Sequence, residues 1–242
     1  MALFLASVRD PAEAEIALLA GADIIDLKDP AQGALGAVDR RSSIAIISAV
    51  ARRRPVSATI GDVPMEPERI RNAVEDRIAL GVDVVKVGLF PGGDPRACLA
   101  ELRPRAEHVG LVLVAFADAM PGFDAVGAAA AIGARGIMLD TADKSFGSLR
   151  SHLGTRDLSG FVARAKAHGL VVGLAGSLGR EDVMPLLALR PDLLGFRGAL
   201  CRGSRNAALD PDACAAIRAL IPDAGPRGSA AELPEAEAQA LC

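Results

Sequence analysis

Four lysines stand against 23 arginines in this chain: Lys28, Lys86, Lys144 and Lys166. The composition, rich in Ala, Arg, Gly and Pro, is that of a GC-rich genome, which replaces lysine by arginine wherever a cation is all that is required. A lysine that persists is then expected to be needed as an amine. Arginine cannot serve there, because it does not deprotonate and cannot form an imine. Three of the four lysines have a nearby aspartate. Lys28 follows Asp26 in DIIDLK, Lys86 interrupts the apolar run DVVKVG, and Lys144 lies four residues beyond Asp140 in GIMLDTADK. Desolvation and neighbouring ammonium groups both disfavour a lysine's charged form, the condition under which an amine attacks a carbonyl near neutral pH. A lone strand lysine is ordinarily a snorkelling surface residue or half of an ion pair. Lys166, inside RAKAHG, reads that way, as an exposed helix residue.

The elements that must carry these residues repeat. Short apolar runs alternate with helical patterns every 25 to 30 residues or so, the mark of successive βα units. The runs are Ala2–Val8, Ala22–Lys28, Val56–Ile60, Val82–Val87, Gly110–Phe116, Gly136–Asp140, Leu170–Leu174 and Leu193–Arg197. Eight units over 242 residues predict one α/β domain, a TIM (β/α)8 barrel over residues 1–221, with a doubly wound open sheet as the competing arrangement. Residues 222–242 read as a tail, loose or carrying a short helix. In a barrel the three lysines fall at the C-terminal strand ends, where active sites lie. Within the second run, Ile24, Asp26 and Lys28 share one face.

Barrels often bind phosphate with the loops after strands seven and eight. Here these contain Gly176-Ser177 and Arg197-Gly198. Glycine lets backbone N–H groups approach an anion, Ser177 adds a hydroxyl and Arg197 a charge. Ser7, after the first strand, is expected at the same rim, and the long segment Asp29–Gly36 could cover a substrate.

Several function classes are disfavoured. The net charge is −3, without a long basic run, and the seven aromatic residues are all Phe, so nucleic-acid binding is not expected. No apolar run is long enough to span a membrane, and the N-terminus lacks the basic region of a signal peptide. Cys98, Cys201, Cys214 and Cys242 show no metal spacing and suit a reducing cytoplasm, and the three histidines show no ligand spacing. No metal or cofactor is expected. Apolar helix faces point to self-association.

The segments GADIIDLKDPAQGALGA, GVDVVKVGL, GIMLDTADKSFGSL, GLAGSL and DLLGFRGALC together resemble, in order, the motifs of the (5-formylfuran-3-yl)methyl phosphate synthase family, over roughly residues 2 to 220. The resemblance implies a TIM barrel and a lyase, of the carbon–oxygen class acting on phosphates. It would join two glyceraldehyde 3-phosphate molecules into the furan precursor of methanofuran, within one-carbon metabolism. It implies Lys86 as the Schiff-base lysine, with Lys28 and Asp26 as the Asp-x-Lys motif and Asp140 and Lys144 as a proton-transferring pair. The iminium would serve as electron sink. One departure stands out: the family pattern carries a further rim lysine near the fifth strand, where LVLVAFADAM has none and Asp118 is the nearest polar residue. Two alternatives remain open, a class I aldolase acting on another sugar phosphate and a non-catalytic barrel that binds a phosphorylated metabolite. The Asp-x-Lys-x-x-Asp pattern of orotidine phosphate decarboxylases is broken at Ala31.

Overall fold

In a computed structural model, which describes residues 2–119 and 122–222, eight parallel strands close in chain order, each hydrogen-bonded to the next and β8 to β1. The strands are β1 (Leu3–Val8), β2 (Ile24–Leu27), β3 (Val56–Thr59), β4 (Val84–Gly88), β5 (Gly110–Phe116), β6 (Gly136–Asp140), β7 (Val171–Leu174) and β8 (Leu193–Phe196). The helices are α1 (Pro11–Leu19), α2 (Arg40–Val50), α3 (Pro67–Ile78), α4 (Pro95–Leu102), α5 (Ala125–Ala131), α6 (Leu149–His152), α7 (Thr155–Ala167), α8 (Arg180–Leu187) and α9 (Pro211–Arg218). This is the closed barrel, and the open-sheet alternative is set aside. The expected tail lies, apart from Pro222, outside the described residues. No helix among the described residues is long and apolar enough to cross a membrane.

Local chemistry explains the element boundaries. Asp10, Asp94 and Asp210 cap α1, α4 and α9, each accepting from an amide three residues on, with a proline at the first helical position. A side-chain cap of this kind contributes about 1 kcal/mol. At the opposite face, Asp23, Asp83 and Asp192 accept from the amides of Phe4, Val56 and Val172, so a carboxylate before one strand caps the first amides of its neighbour. Asp83 thus belongs to the far end of the barrel, as its place before β4 suggests. Two departures from the sequence pattern have simple causes. The α4 helix gives way to a tighter turn over Arg103–Glu107 because Pro104 brings no amide. The four-residue α6 is too short to show a periodicity, and is held by the Leu149 amide donating to Gly176 at 2.8 Å.

The alternation of the strands builds the site. Outward residues such as Phe4, Ile25, Leu27, Val85 and Leu113 pack under the helices. Inward residues are apolar in the lower lumen: Leu3, Leu5, Ile24, Val84, Val112 and Met138. Two residues further along the same faces stand Ser7, Asp26, Lys86 and Asp140, all buried. The lumen therefore changes from hydrocarbon to charge within one side-chain layer, at the C-terminal ends.

Candidate active site

A cavity of about 380 Å³ opens at that rim. Its walls include Ser7, Lys28, Lys86, Asp140, Lys144 and Arg205. Small residues on β7 and β8 leave room for it. A Cβ on Gly173 would lie 2.5 Å from Met138 Cγ, and one on Gly195 3.2 Å from Ala175 Cβ. The three lysines singled out from sequence converge here, with Asp26 and Asp140, and Lys166 stays outside, paired with Asp192 at 3.0 Å.

Asp26 is fully buried and accepts three hydrogen bonds. Ser7 Oγ donates at 2.8 Å, Ser57 Oγ at 2.7 Å, and Lys86 Nζ lies at 2.7 Å. Ser7, expected to meet the substrate, instead has its proton committed to Asp26. Ser57 was not foreseen, although strand alternation and its register opposite Asp26 place it on the lumen face. Burial pushes the Lys86 ammonium below its ordinary pKa, and nearby Lys28 adds to this, while Asp26 opposes both.

A second cluster surrounds Asp140. Its carboxylate accepts from Lys144 Nζ and from the Thr141 amide, the latter at 2.8 Å, while Lys28 Nζ lies 3.8 Å away. Burial opposes the Asp140 charge, but Lys144, Lys28 and the Thr141 amide outweigh it and hold the carboxyl at about 2. Lys144 also donates to the Thr141 carbonyl, and burial lowers its pKa against the pull of Asp140. Among the described residues, Lys28 is the one amine of the three without a hydrogen bond, its sole carboxylate neighbour lying beyond donor reach. It stands on the cavity wall with 8% of its side chain accessible.

Two aspartates hold the loops over this layer. Asp62 accepts from the Ala34 and Leu35 amides at 2.8 and 2.7 Å, pinning the segment expected as a cover. Gly33 has φ +124° there, and a Cβ would fall 2.1 Å from an Asp62 oxygen, so no larger residue fits. Asp118 accepts from the Ala142 and Asp143 amides at 2.7 and 2.8 Å and so fixes the loop that presents Lys144. It is a clamp and does not replace an amine. The lumen side of β5 is apolar, with Phe116 packed on Phe90 at 4.8 Å between ring centroids.

The β7 and β8 loops divide the expected phosphate residues. The amides of Gly176, Ser177, Leu178, Gly198 and Ala199 face no acceptor among the described residues, and all five residues line the cavity. Gly176 (φ +106°) supplies a positive-φ turn that glycine adopts without cost, whereas Ser177 (φ +46°) is a non-glycine residue held there, strain of the kind that accumulates at binding sites. Arg197 requires a correction. Its guanidinium is bound by both oxygens of buried Glu13 and by the carbonyls of Ser7, Arg205 and Ala207, which occupies all its donors. The cation expected to grip phosphate is a structural bracket between β8 and α1. Arg197→Met would leave Glu13 buried and without its main counter-charge. The expected result is a loss of about 3–5 kcal/mol of unfolding free energy in urea titrations. A phosphate contact alone would leave stability unchanged and raise KM.

Arg205, which follows β8 on an irregular loop, is the cavity cation that sequence pattern did not reveal. No periodicity marks its position, and its neighbours come from distant parts of the chain.

Comparison with known proteins bears on what this arrangement serves. A fold search finds phosphoribosyl anthranilate isomerase from Thermus thermophilus at TM-score 0.62 and 17% identity, covering 91% of this chain and 98% of that one, a likeness of fold alone. A (5-formylfuran-3-yl)methyl phosphate synthase of Methanopyrus kandleri is 38% identical over 207 residues, covering 80% of this chain and 87% of the relative. A Methylorubrum extorquens protein that carries the same activity name provisionally is 45% identical over 230 residues, 94% of each chain. The family model of the 4-HFC-P synthases matches residues 4–218, nearly the whole barrel. On that match and these identities the chain belongs to the 4-HFC-P synthase family, the (5-formylfuran-3-yl)methyl phosphate synthases.

Proposed function

We propose that the chain condenses two molecules of glyceraldehyde 3-phosphate into (5-formylfuran-3-yl)methyl phosphate, the furan precursor of methanofuran, through an imine on Lys28. The observation that carries this reading is the unequal bonding of three amines around one cavity. Among the described residues Lys144 is fastened to Asp140 and Thr141, Lys86 is fastened to Asp26, and Lys28, on the cavity wall, is the one of the three without a hydrogen bond. An imine-forming amine must leave its counter-ion and meet a carbonyl carbon, and Lys28 has the least to break. The expectation from sequence put the imine on Lys86. Here Lys86 becomes the proton carrier, since burial favours its neutral form and Asp26 stands ready to receive or return a proton.

In the proposed sequence the aldehyde of one triose phosphate condenses with Lys28, losing water to form the imine, while a second isomerises to its ketone form, dihydroxyacetone phosphate. Lys86 removes the adjacent C–H proton, and the iminium nitrogen takes up the electron pair as an enamine. The enamine expels the phosphate from its C3, leaving an enol whose C3 attacks the ketone carbon of the second triose phosphate, and the Asp140–Lys144 pair protonates the resulting alkoxide. The acceptor's free hydroxyl then closes onto the carbonyl of the first triose with loss of two waters to give the furan, and one water frees Lys28 by hydrolysis. Two substrates thus yield one furan phosphate, one inorganic phosphate and, net, two waters, with no change in overall oxidation level. The loop amides of Gly176, Ser177 and Gly198 suit the phosphate of the first triose.

Incubation with glyceraldehyde 3-phosphate alone tests the reading. The expected products are an ultraviolet-absorbing furan phosphate, seen by mass analysis, and an equal amount of inorganic phosphate. Borohydride quenching during turnover should place the reduced adduct on the Lys28 peptide. A non-aromatic six-carbon sugar phosphate as sole product would instead assign an aldolase, and an adduct confined to Lys86 would return the imine to that residue.

A further inference from the structure

The proposed condensation brings two phosphate groups into one cavity, whereas the β7–β8 loops offer one amide cradle. Five cations line the cavity: Lys28, Lys86, Lys144, Arg197 and Arg205. Three carboxylates compensate them, with Lys86 on Asp26, Lys28 and Lys144 sharing Asp140, and Arg197 on Glu13. Among the described residues Arg205 has no carboxylate within ion-pair distance. Once one lysine is a neutral amine, Arg205 is the remaining uncompensated positive charge.

The geometry points to Arg205 as a second phosphate subsite, distinct from the amide cradle, that binds the phosphate of the incoming second triose; this assignment rests on the two-triose reading above. Among the described residues its guanidinium makes one long hydrogen bond, donating to the Gly33 carbonyl at 3.4 Å, and its other donors have no protein acceptor although the residue lines the cavity. That contact sets the guanidinium beside the loop after β2, three strands round the barrel from the loop after β7 that carries Gly176 and Ser177, while Arg205 Cβ stays near Gly198. Its backbone is firmly held. Arg197 Nε donates to the Arg205 carbonyl at 2.9 Å and Arg197 Nη2 to Ala207 O at 2.7 Å, while Arg9 binds Asn206 O. Both of those arginines are anchored on buried Glu13. A fixed backbone under a loosely bonded guanidinium is the arrangement expected of a ligand-binding arginine, whose planar fork matches phosphate oxygens two at a time. Burial also depresses the Arg205 pKa, with Asp140 and Asp62 opposing, and a bound anion would relieve that penalty.

The test compares wild type with Arg205→Met and Arg205→Lys. Lys28 is first loaded from glyceraldehyde 3-phosphate, and the acceptor is then either dihydroxyacetone phosphate or unphosphorylated dihydroxyacetone. Borohydride trapping of the first triose should stay within about twofold of wild type in both variants. Condensation with dihydroxyacetone phosphate should fall about 10- to 100-fold in Arg205→Met, the worth of a charge-assisted phosphate contact. The fall should appear mainly in KM, with partial recovery in Arg205→Lys. Wild type should prefer the phosphorylated acceptor by a similar factor, and Arg205→Met should lose that preference. An undiminished preference in Arg205→Met, or a parallel loss of first-triose trapping, would overturn the assignment. Calorimetric titration with inorganic phosphate provides a readout independent of turnover. Two sites per chain are expected in wild type and one in Arg205→Met, and equal stoichiometry would overturn the subsite. If wild type makes no furan, the reaction reading fails, while the phosphate stoichiometry still decides the subsite.

Discussion

Lys28→Arg should retain the fold and the positive charge yet lose covalent capture of substrate altogether. The guanidinium cannot form an imine, so borohydride in the presence of triose phosphate should leave the protein mass unchanged. Furan formation should fall by about 10⁴-fold or more, the scale reached when a covalent catalyst is deleted and the surrounding site kept. Lys86→Arg gives the opposing pattern. It removes the proton carrier but leaves Lys28, so trapping should continue, more slowly, while turnover collapses. The two variants together separate attack from proton transfer. Single-turnover trapping followed by peptide mass analysis is the measurement, and robust labelling of Lys28→Arg would sink the assignment.

Asp26→Asn should have the next largest effect. Among the described residues Asp26 is the sole carboxylate in contact with Lys86, and it is held by Ser7 and Ser57, so its loss disturbs three donors at once. Proton transfer of this kind is worth about 10²–10⁴ in rate, and a loss of that size in kcat is expected. The pH dependence supplies a sharper readout. Asp26 raises the Lys86 pKa against the depressing effect of burial. Removing its charge must lower that pKa further, so the limb of the rate profile that reports neutral Lys86 should move to lower pH. Stability should also fall by about 3 kcal/mol, because a broken buried pair leaves one charge uncompensated. A purely structural Asp26 predicts the stability loss with an unmoved pH profile. Rates must therefore be taken well below the melting temperature of the variant.

Much of the barrel was legible because the strands are short apolar runs between glycines and aspartates. β5 and β6 fall on the predicted bounds, Gly110–Phe116 and Gly136–Asp140. Strand ends elsewhere shift by a residue or two, as at Lys28, which leaves the β2 strand although its amide still bonds Val8 O at 3.0 Å. The meeting of Lys28, Lys86, Lys144, Asp26 and Asp140 was also legible, because alternation fixes which residues face a lumen and closure brings strand ends together. Ser57 obeys the same rule and could have been found by applying it to the third run. Arg197 and Arg205 could not be told apart in this way. Both are arginines near one strand end, and the difference lies in Glu13, 184 residues from Arg197 in the chain.

The sequence by itself thus determined the eight-unit repeat, the scarcity of lysine and the layer of the lumen at which hydrocarbon gives way to charge. These follow from the period of two along a strand and from residue types alone. Only the tertiary structure decided which cation answers which carboxylate, which serine proton is committed, and which amine and guanidinium are left to face the cavity. Such pairings depend on distances of a few ångströms between side chains far apart in the chain. Those distances exist only once β8 has closed against β1.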